Sequence, residues 1–517
     1  MGRVAGRPVG LRLPGRRRLA SLGLIIASGC AVLAISGQVD LADSAAPVSA
    51  RATVTVAPGA PLTPIPRSWL GISTEYWALP LYARQMPLFE RVMSILHAPG
   101  SGPMVLRVGG DSADHAFWNP RRRLPSWAFT ISRHWLQVAG GLVRRLDLRV
   151  IVDLNLVTDS PASAADWARA AEAGLPHGSI IGFEVGNEPD IYDRRLWTSM
   201  TAGRPVGDRA LPPAITPAEY VADFRAYAAA LKRVAPAVPL LGPAIANPRA
   251  HAGWVASLLA GARADVGAVS AHRYPYSACV PKRSPAYPTI ARLLSRRATV
   301  GMAAGLAPVV ALAHRAGLRL RLTELNSVTC DGRPSVSDAF ATALWAPGAL
   351  LQLIRTGLDA VNLHIRANTI NAPFALNRGG LLARPLLYGL ILFTRMLGPQ
   401  AALERVQLDA KPSLRLSAWA VRVGGGTLHT LLINQGRRSV RVWLRLPTNG
   451  AASVQRLLAS SPRARFGVTL DGQRLGRDGT WRRRATDQTV PASARGYRVT
   501  VPGFSAALVT ARLAPGL

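Results

Sequence analysis

The chain predicts an α/β protein, a (β/α)8 TIM barrel followed by a C-terminal antiparallel β-sandwich, on three observations. Between about residues 60 and 395, β-prone runs alternate with Ala/Leu/Arg-rich helical stretches, as parallel strands wrapped by helices do. There are eight such runs, the number that closes a barrel, and no Gly-rich dinucleotide loop follows the first of them. Past about residue 400 the runs become short and alternating, separated by Gly, Pro, Asn and Asp, which is the texture of a sandwich.

In chain order, the barrel strands are expected at Trp69–Thr74, Met104–Gly110, Leu148–Leu156 and Ile180–Glu188. The other four are Pro239–Ala246, Val266–Pro275, Arg319–Ser327 and Ala360–Ile365. Helical segments Ala164–Ala173, Pro217–Val234 and Phe340–Thr356 fall between them. Gly109-Gly110 lacks the other glycines of a nucleotide-binding loop and reads as a tight strand exit. Sandwich strands are expected at Leu414–Arg422, Thr427–Asn434, Val440–Leu446, Gly496–Thr500 and Ala506–Ala511. Arg51–Ala57 alternates in the same way and can join them. The expected organisation is a leader and linker over 1–50, the barrel over 60–395, and the sandwich over 400–517 together with 51–58.

Composition bounds the partners. With 49% hydrophobic and 17% charged residues, the 517-residue chain is globular, not disordered. Its 62 basic against 28 acidic residues give a net charge of +34, and Lys232, Lys282 and Lys411 are the only lysines. A basic surface attracts anionic polysaccharide, nucleic acid or anionic lipid. The arginines are scattered, in triplets only at Arg16–Arg18, Arg121–Arg123 and Arg482–Arg484, and no nucleic-acid motif accompanies them. Nucleic acid is therefore not expected as a partner. Six arginines in the first 18 residues precede an apolar run from Leu19 to Ile35, which reads as an export signal. Membrane contact is expected only if that run stays as an N-terminal anchor. Cys30 lies in the leader. Beyond it stand Cys279, after the sixth predicted strand, and Cys330, after the seventh, so their loops are neighbours and an oxidising compartment would join them.

The chemistry is concentrated at two strand ends. The fourth run, Ile181-Gly-Phe-Glu-Val-Gly, leads into Asn187-Glu188-Pro189-Asp190, and the seventh ends in Thr323-Glu324-Leu-Asn326-Ser327. An unpaired acid at the end of a buried strand is costly and needs a reason. Strand ends four and seven of a (β/α)8 barrel both open into its C-terminal mouth, and two facing carboxyls are what a glycosidase uses. Asn187 offers an amide to a sugar 2-hydroxyl. No His/Cys/Asp cluster has metal-ligand spacing, so neither metal nor other cofactor is expected.

These motifs resemble the clan of retaining (β/α)8 glycosidases, and within it glycoside hydrolase family 79, the heparanases and β-glucuronidases. The resemblance spans about residues 60–395 and rests on Leu106-Arg-Val-Gly-Gly-Asp-Ser-Ala-Asp114, Phe183-Glu-Val-Gly-Asn-Glu-Pro-Asp190 and Ala271-His-Arg-Tyr-Pro275. It continues through Thr323-Glu-Leu-Asn-Ser327, Val336-Ser-Asp338, Ala343-Leu-Trp345 and Val361-Asn-Leu-His364. It implies an exported retaining β-glycosidase acting on a β-glucuronide or another uronate-bearing oligo- or polysaccharide. Glu188 would be the acid/base, Glu324 the nucleophile, and Tyr274 the hydroxyl bonded to the nucleophile. His272 would line the same strand end. Glu75, Asp111 and Asp114 resemble positions that grip sugar hydroxyls. The family's carboxylate-gripping tyrosines are missing: Leu325–Leu344 contains none, and Arg366 follows the eighth strand. Arg366 is thus a candidate bidentate partner for a substrate carboxylate. Two alternatives remain open, a neutral-sugar β-glycosidase of the same clan and a non-catalytic carbohydrate-binding surface protein.

Overall fold

The computed structural model describes residues 50–57, 62–119, 124, 126–192 and 214–514. The leader with Cys30, and the triplet Arg121–Arg123, lie outside them. Eight parallel strands close a barrel in sequence order: Leu70–Glu75, Val105–Gly109, Arg149–Leu154, Ile180–Val185, Leu240–Ile245, Val266–Arg273, Leu320–Leu325 and Ala360–His364. They read as near-continuous apolar runs because helices cover the outer face and packed side chains fill the inner one. The first, second and fifth are buried at every residue. The helices carry local start signals. Pro217–Lys232 opens with a capping box between Thr216 and Glu219 and buries Tyr220, Phe224, Tyr227 and Leu231 on one face.

The fourth strand stops at Val185, three residues before the expected Glu188. Gly186 at φ 80° and Glu188 at φ 50° leave the extended region, so the acid sits on a sharp turn beyond the strand. Glu324, by contrast, lies within the seventh strand.

Two further sheets follow the barrel. One runs in the order Val406–Asp409, Ala50–Val56, Val440–Arg445, Tyr497–Val501. The other is built mainly from Leu416–Val423, Thr427–Asn434, Ser505–Leu513 and Thr448–Leu458. Their facing sides share one core, in which Val54, Val442 and Val499 meet Leu432, Val454 and Val509. Three features depart from the sequence expectation, the first being the edge strand Val406–Asp409, which was not expected. Ala50–Val56 pairs with Val440–Arg445 in parallel, so the first sheet is mixed. Thr448–Leu458 is an unanticipated strand of 11 residues, because Thr448-Asn-Gly-Ala-Ala reads as a turn; a register shift between Asn449 and Ser453 absorbs that segment.

Candidate active site

A guanidinium organises the barrel interior. Arg107, in the middle of the second strand and fully buried, donates to Glu184 at 2.8 Å, Asp153 at 2.8 Å, Glu324 at 2.6 Å and the Asn187 amide oxygen at 3.0 Å. Glu184 accepts a further bond from Thr323 at 2.7 Å. Burial alone would discharge Arg107, but the charges of Glu184, Asp153 and Glu324 outweigh it and keep the guanidinium protonated. The sequence motif Leu106–Asp114 contains Arg107 without assigning it a role. The available signal was a lone basic residue inside an apolar strand, with acids at Asp153 and Glu184 on the next two strands.

Glu324 is held by opposite charge. Its Oε1 meets Arg107 and lies 3.5 Å from His364 Nδ1, and its Oε2 accepts from the Tyr274 hydroxyl at 2.8 Å. Burial pushes its carboxyl up, yet His364, His272, Arg107 and Tyr274 together hold it far below the usual carboxylate range. Glu188 moves the other way. Burial raises it, the hydrogen bond and charge of His272 offset part of that, and the neighbouring Glu324 charge adds to the rise. His272 is fully buried and places Nδ1 2.9 Å from Glu188 and 3.8 Å from Glu324. A register shift between Ala271 and His272 on the sixth strand turns its ring to this position. One donor atom each from Glu188, His272 and Glu324 lies within 4.8 Å of the others. That spacing suits a divalent ion, a grouping that sequence spacing did not reveal. In this chain the same atoms are engaged in hydrogen bonds and charge contacts with one another and with Arg107 and Tyr274.

Two carboxyls with opposed shifts can divide labour. One keeps its proton for a departing oxygen, and the other stays ionised for attack. Asn187 turns its amide oxygen to Arg107, which leaves its NH2 end without a partner among the described residues. Tyr274 is half-buried beside Glu324 and Glu188, both of which oppose its ionisation, so it remains a donor.

The rim is acidic. Glu75, at the end of the first strand, accepts from Ser112 N at 2.9 Å and lies 3.6 Å from His364 and 3.4 Å from Arg366. Burial raises its carboxyl, but His364 and Arg366 win and lower it. Gly110, at φ 72°, lies so close that a Cβ there would stand 2.7 Å from a Glu75 oxygen, which explains the Gly-Gly exit of the second strand. Asp111 reaches the rim with its side chain 66% exposed, 3.4 Å from Arg366. Asp114 does not reach the rim. It is buried, accepts from the Tyr192 hydroxyl at 2.8 Å, and burial pushes it well above the ordinary range. It lies beneath the mouth, held by Tyr192.

Arg366 has acidic neighbours that the sequence did not reveal. It stands at the mouth, but Glu75, Asp111 and Asp331 surround it at 3.4, 3.4 and 3.2 Å. Three acidic side chains therefore already share the Arg366 charge at the mouth. His364, which ends the motif Val361-Asn-Leu-His364, and Asp331 complete this rim, and the sequence pattern assigns a role to neither.

Cys279 and Cys330 are joined, with Cα atoms 6.0 Å apart. The short strand Tyr276–Ser277 pairs with Val328–Thr329 beside the bridge, so the loops after strands six and seven are already neighbours. Cys330, Asp331 and Ser335 all have positive φ, an unfavourable conformation for residues other than glycine that needs outside support. The bridge, closing a loop of 51 residues, and the Asp331–Arg366 contact supply it. Cys330→Ser is expected to cost about 2–4 kcal/mol, read as a fall in Tm, and to raise KM through the loosened loop. An unchanged Tm and KM would contradict that.

No family model matches the chain. A β-glucuronidase of Aspergillus niger is 23% identical over 467 residues, covering 79% of this chain and 83% of that protein. Among solved structures, a 4-O-α-L-rhamnosyl-β-D-glucuronidase of Fusarium oxysporum superposes with a TM-score of 0.69 at 17% identity, over 89% of this chain and 99% of that one. A family 51 arabinofuranosidase of Xanthomonas axonopodis pv. citri gives 0.67 at 15% identity, over 90% of this chain and 100% of that one. The chain therefore has a glycosidase-like barrel fold.

Proposed function

We propose that this protein is an exported retaining β-glycosidase. The observation that carries the reading is the Glu188–His272–Glu324 group, with His272 and Glu324 buried, carboxylate oxygens within 4.8 Å and opposed pKa shifts. Carboxyls this close favour double displacement over inversion, which needs roughly 6.5–9.5 Å to admit a water. Glu324, ionised and fixed by Arg107 and Tyr274, attacks the anomeric carbon. Glu188 gives its proton to the leaving oxygen, then takes one from the water that releases the sugar. Export is supported by the arginine-rich start with its apolar run, and by the Cys279–Cys330 bridge.

The substrate class proposed first is a β-glucuronide, supported by the name of the Aspergillus niger relative. The ring of Glu75, Asp111 and Asp331 around Arg366 favours a second reading, a neutral-sugar β-glycosidase. A panel of chromogenic β-glycosides separates the two. The first reading expects kcat/KM on the glucuronide to exceed that on glucoside, galactoside and xyloside by about tenfold or more, and a preference for the glucoside installs the second. Arg366→Ala is expected to affect glucuronide and glucoside alike, because it removes the hub of an acidic rim. A loss confined to the glucuronide would restore Arg366 as the carboxylate partner.

The pH profile follows from the two carboxyls. Activity needs Glu188 protonated and Glu324 ionised, so it falls as pH rises through the raised pKa of Glu188 and persists far into acid. His272 lowers Glu188 by hydrogen bond and charge. His272→Phe is thus expected to move the alkaline limb of kcat/KM to higher pH. A limb that stays put or moves down would separate His272 from this role.

A further inference from the structure

The outer face of the mixed sheet carries a cationic patch centred on one indole. Along Ala50–Val56, Val440–Arg445 and Tyr497–Val501, alternate residues such as Val54, Val442 and Val499 enter the core. The residues between them face outward. Trp443 stands beside Thr53 on one neighbouring strand and Arg498 on the other. Arg441 and Arg445 flank it along its own strand, and Arg51 lies directly beside Arg441. Opposed residues are about 5 Å apart and alternate residues on one strand about 7 Å apart, so four arginines occupy outward positions around that of the indole, with Thr53 closing the remaining side. None of the four has an acid partner among the described residues. The only acid on these four strands is Asp409, at the far edge beyond Thr53. Like charges directly opposite destabilise a sheet, yet Arg51 and Arg441 are paired without relief.

We propose that this face docks a uronate-bearing polysaccharide, holding the polymer while the barrel mouth cleaves it. The inference rests on the glycosidase reading above. Guanidinium forks pair bidentately with carboxylates, and the threonine hydroxyls and flat indole suit a sugar's hydroxyl edge and C–H face. The patch lacks the several stacking platforms that single-stranded nucleic acid uses, and the exposed aliphatic groups that a membrane surface would take up.

The test is a binding titration with full-length Glu324→Ala protein, which cannot turn the ligand over, at about 0.15 M salt. The probes are polyglucuronate, neutral dextran, a single-stranded oligonucleotide and anionic vesicles. Arg441→Ser/Arg445→Ser/Arg498→Ser should weaken polyglucuronate binding by about tenfold or more, and Trp443→Ala by several fold. A charge-matched control on the barrel, Arg296→Ser/Arg315→Ser/Arg319→Ser, should change it less than about twofold, because bulk charge alone is screened. Equal weakening by patch and control, no polymer binding, equal binding of dextran, or tighter patch-dependent binding of the oligonucleotide or vesicles overturns the proposal. Aryl glycoside turnover by the patch variants of otherwise unchanged protein should equal that of the parent. Failure here with intact turnover sinks only the docking face. Failure of all glycoside turnover with patch binding intact sinks only the reading of the mouth.

Discussion

Glu324→Ala is expected to abolish turnover of every glycoside the protein accepts, by on the order of 10⁴-fold or more in kcat, with substrate still bound. The carboxylate is built for one use. Arg107, His364, His272 and Tyr274 converge on it and keep it ionised within a buried barrel. Glu188→Ala should fail differently. Aryl glycosides with good leaving groups need little protonation, so their cleavage should survive far better than that of natural glycosides. Equal loss on both substrate types would remove Glu188 from the acid/base role. A Glu324→Ala protein that retained more than a few per cent of activity would remove Glu324 from the nucleophile role.

Arg107→Met should be the most destabilising single replacement at the site. It leaves Asp153, Glu184 and Glu324 buried around an apolar side chain, and uncompensated buried charge costs about 3–5 kcal/mol. Unfolding entropy grows with chain length, so in a chain of this size that cost lowers Tm by only on the order of 3–5 °C. A second readout separates chemistry from stability. Arg107 holds the Glu324 carboxyl down, so its removal raises that carboxyl and moves the acid limb of kcat/KM to higher pH. If Tm and the acid limb both stayed put, Arg107 would not be the hub described.

Much of this was legible in the sequence, for physical reasons that also mark the limit. Barrel strands buried on both faces give near-continuous apolar runs, so each was found to within three residues of its observed ends. The acids Glu75, Glu188 and Glu324 stood out because they interrupt or end such runs. Pairing across strands leaves no local trace. Arg107 meets Asp153, Glu184 and Glu324 only when the barrel closes, and His364 meets Glu75 and Glu324 in the same way. Asp111 and Asp114 stand on the same short 3-10 helix, Gly110–His115, yet one reaches the rim and the other bonds Tyr192, a difference in depth that their spacing does not carry. Arg366 read as an unpartnered cation because Asp331, on the loop after another strand, is 35 positions away.

The central claim is that Glu188 and Glu324 cleave a β-glycoside by two displacements. Proton NMR of the first sugar released from the best aryl β-glycoside, recorded before mutarotation, tests it most directly. The account predicts the β-anomer; the α-anomer as first product would contradict it.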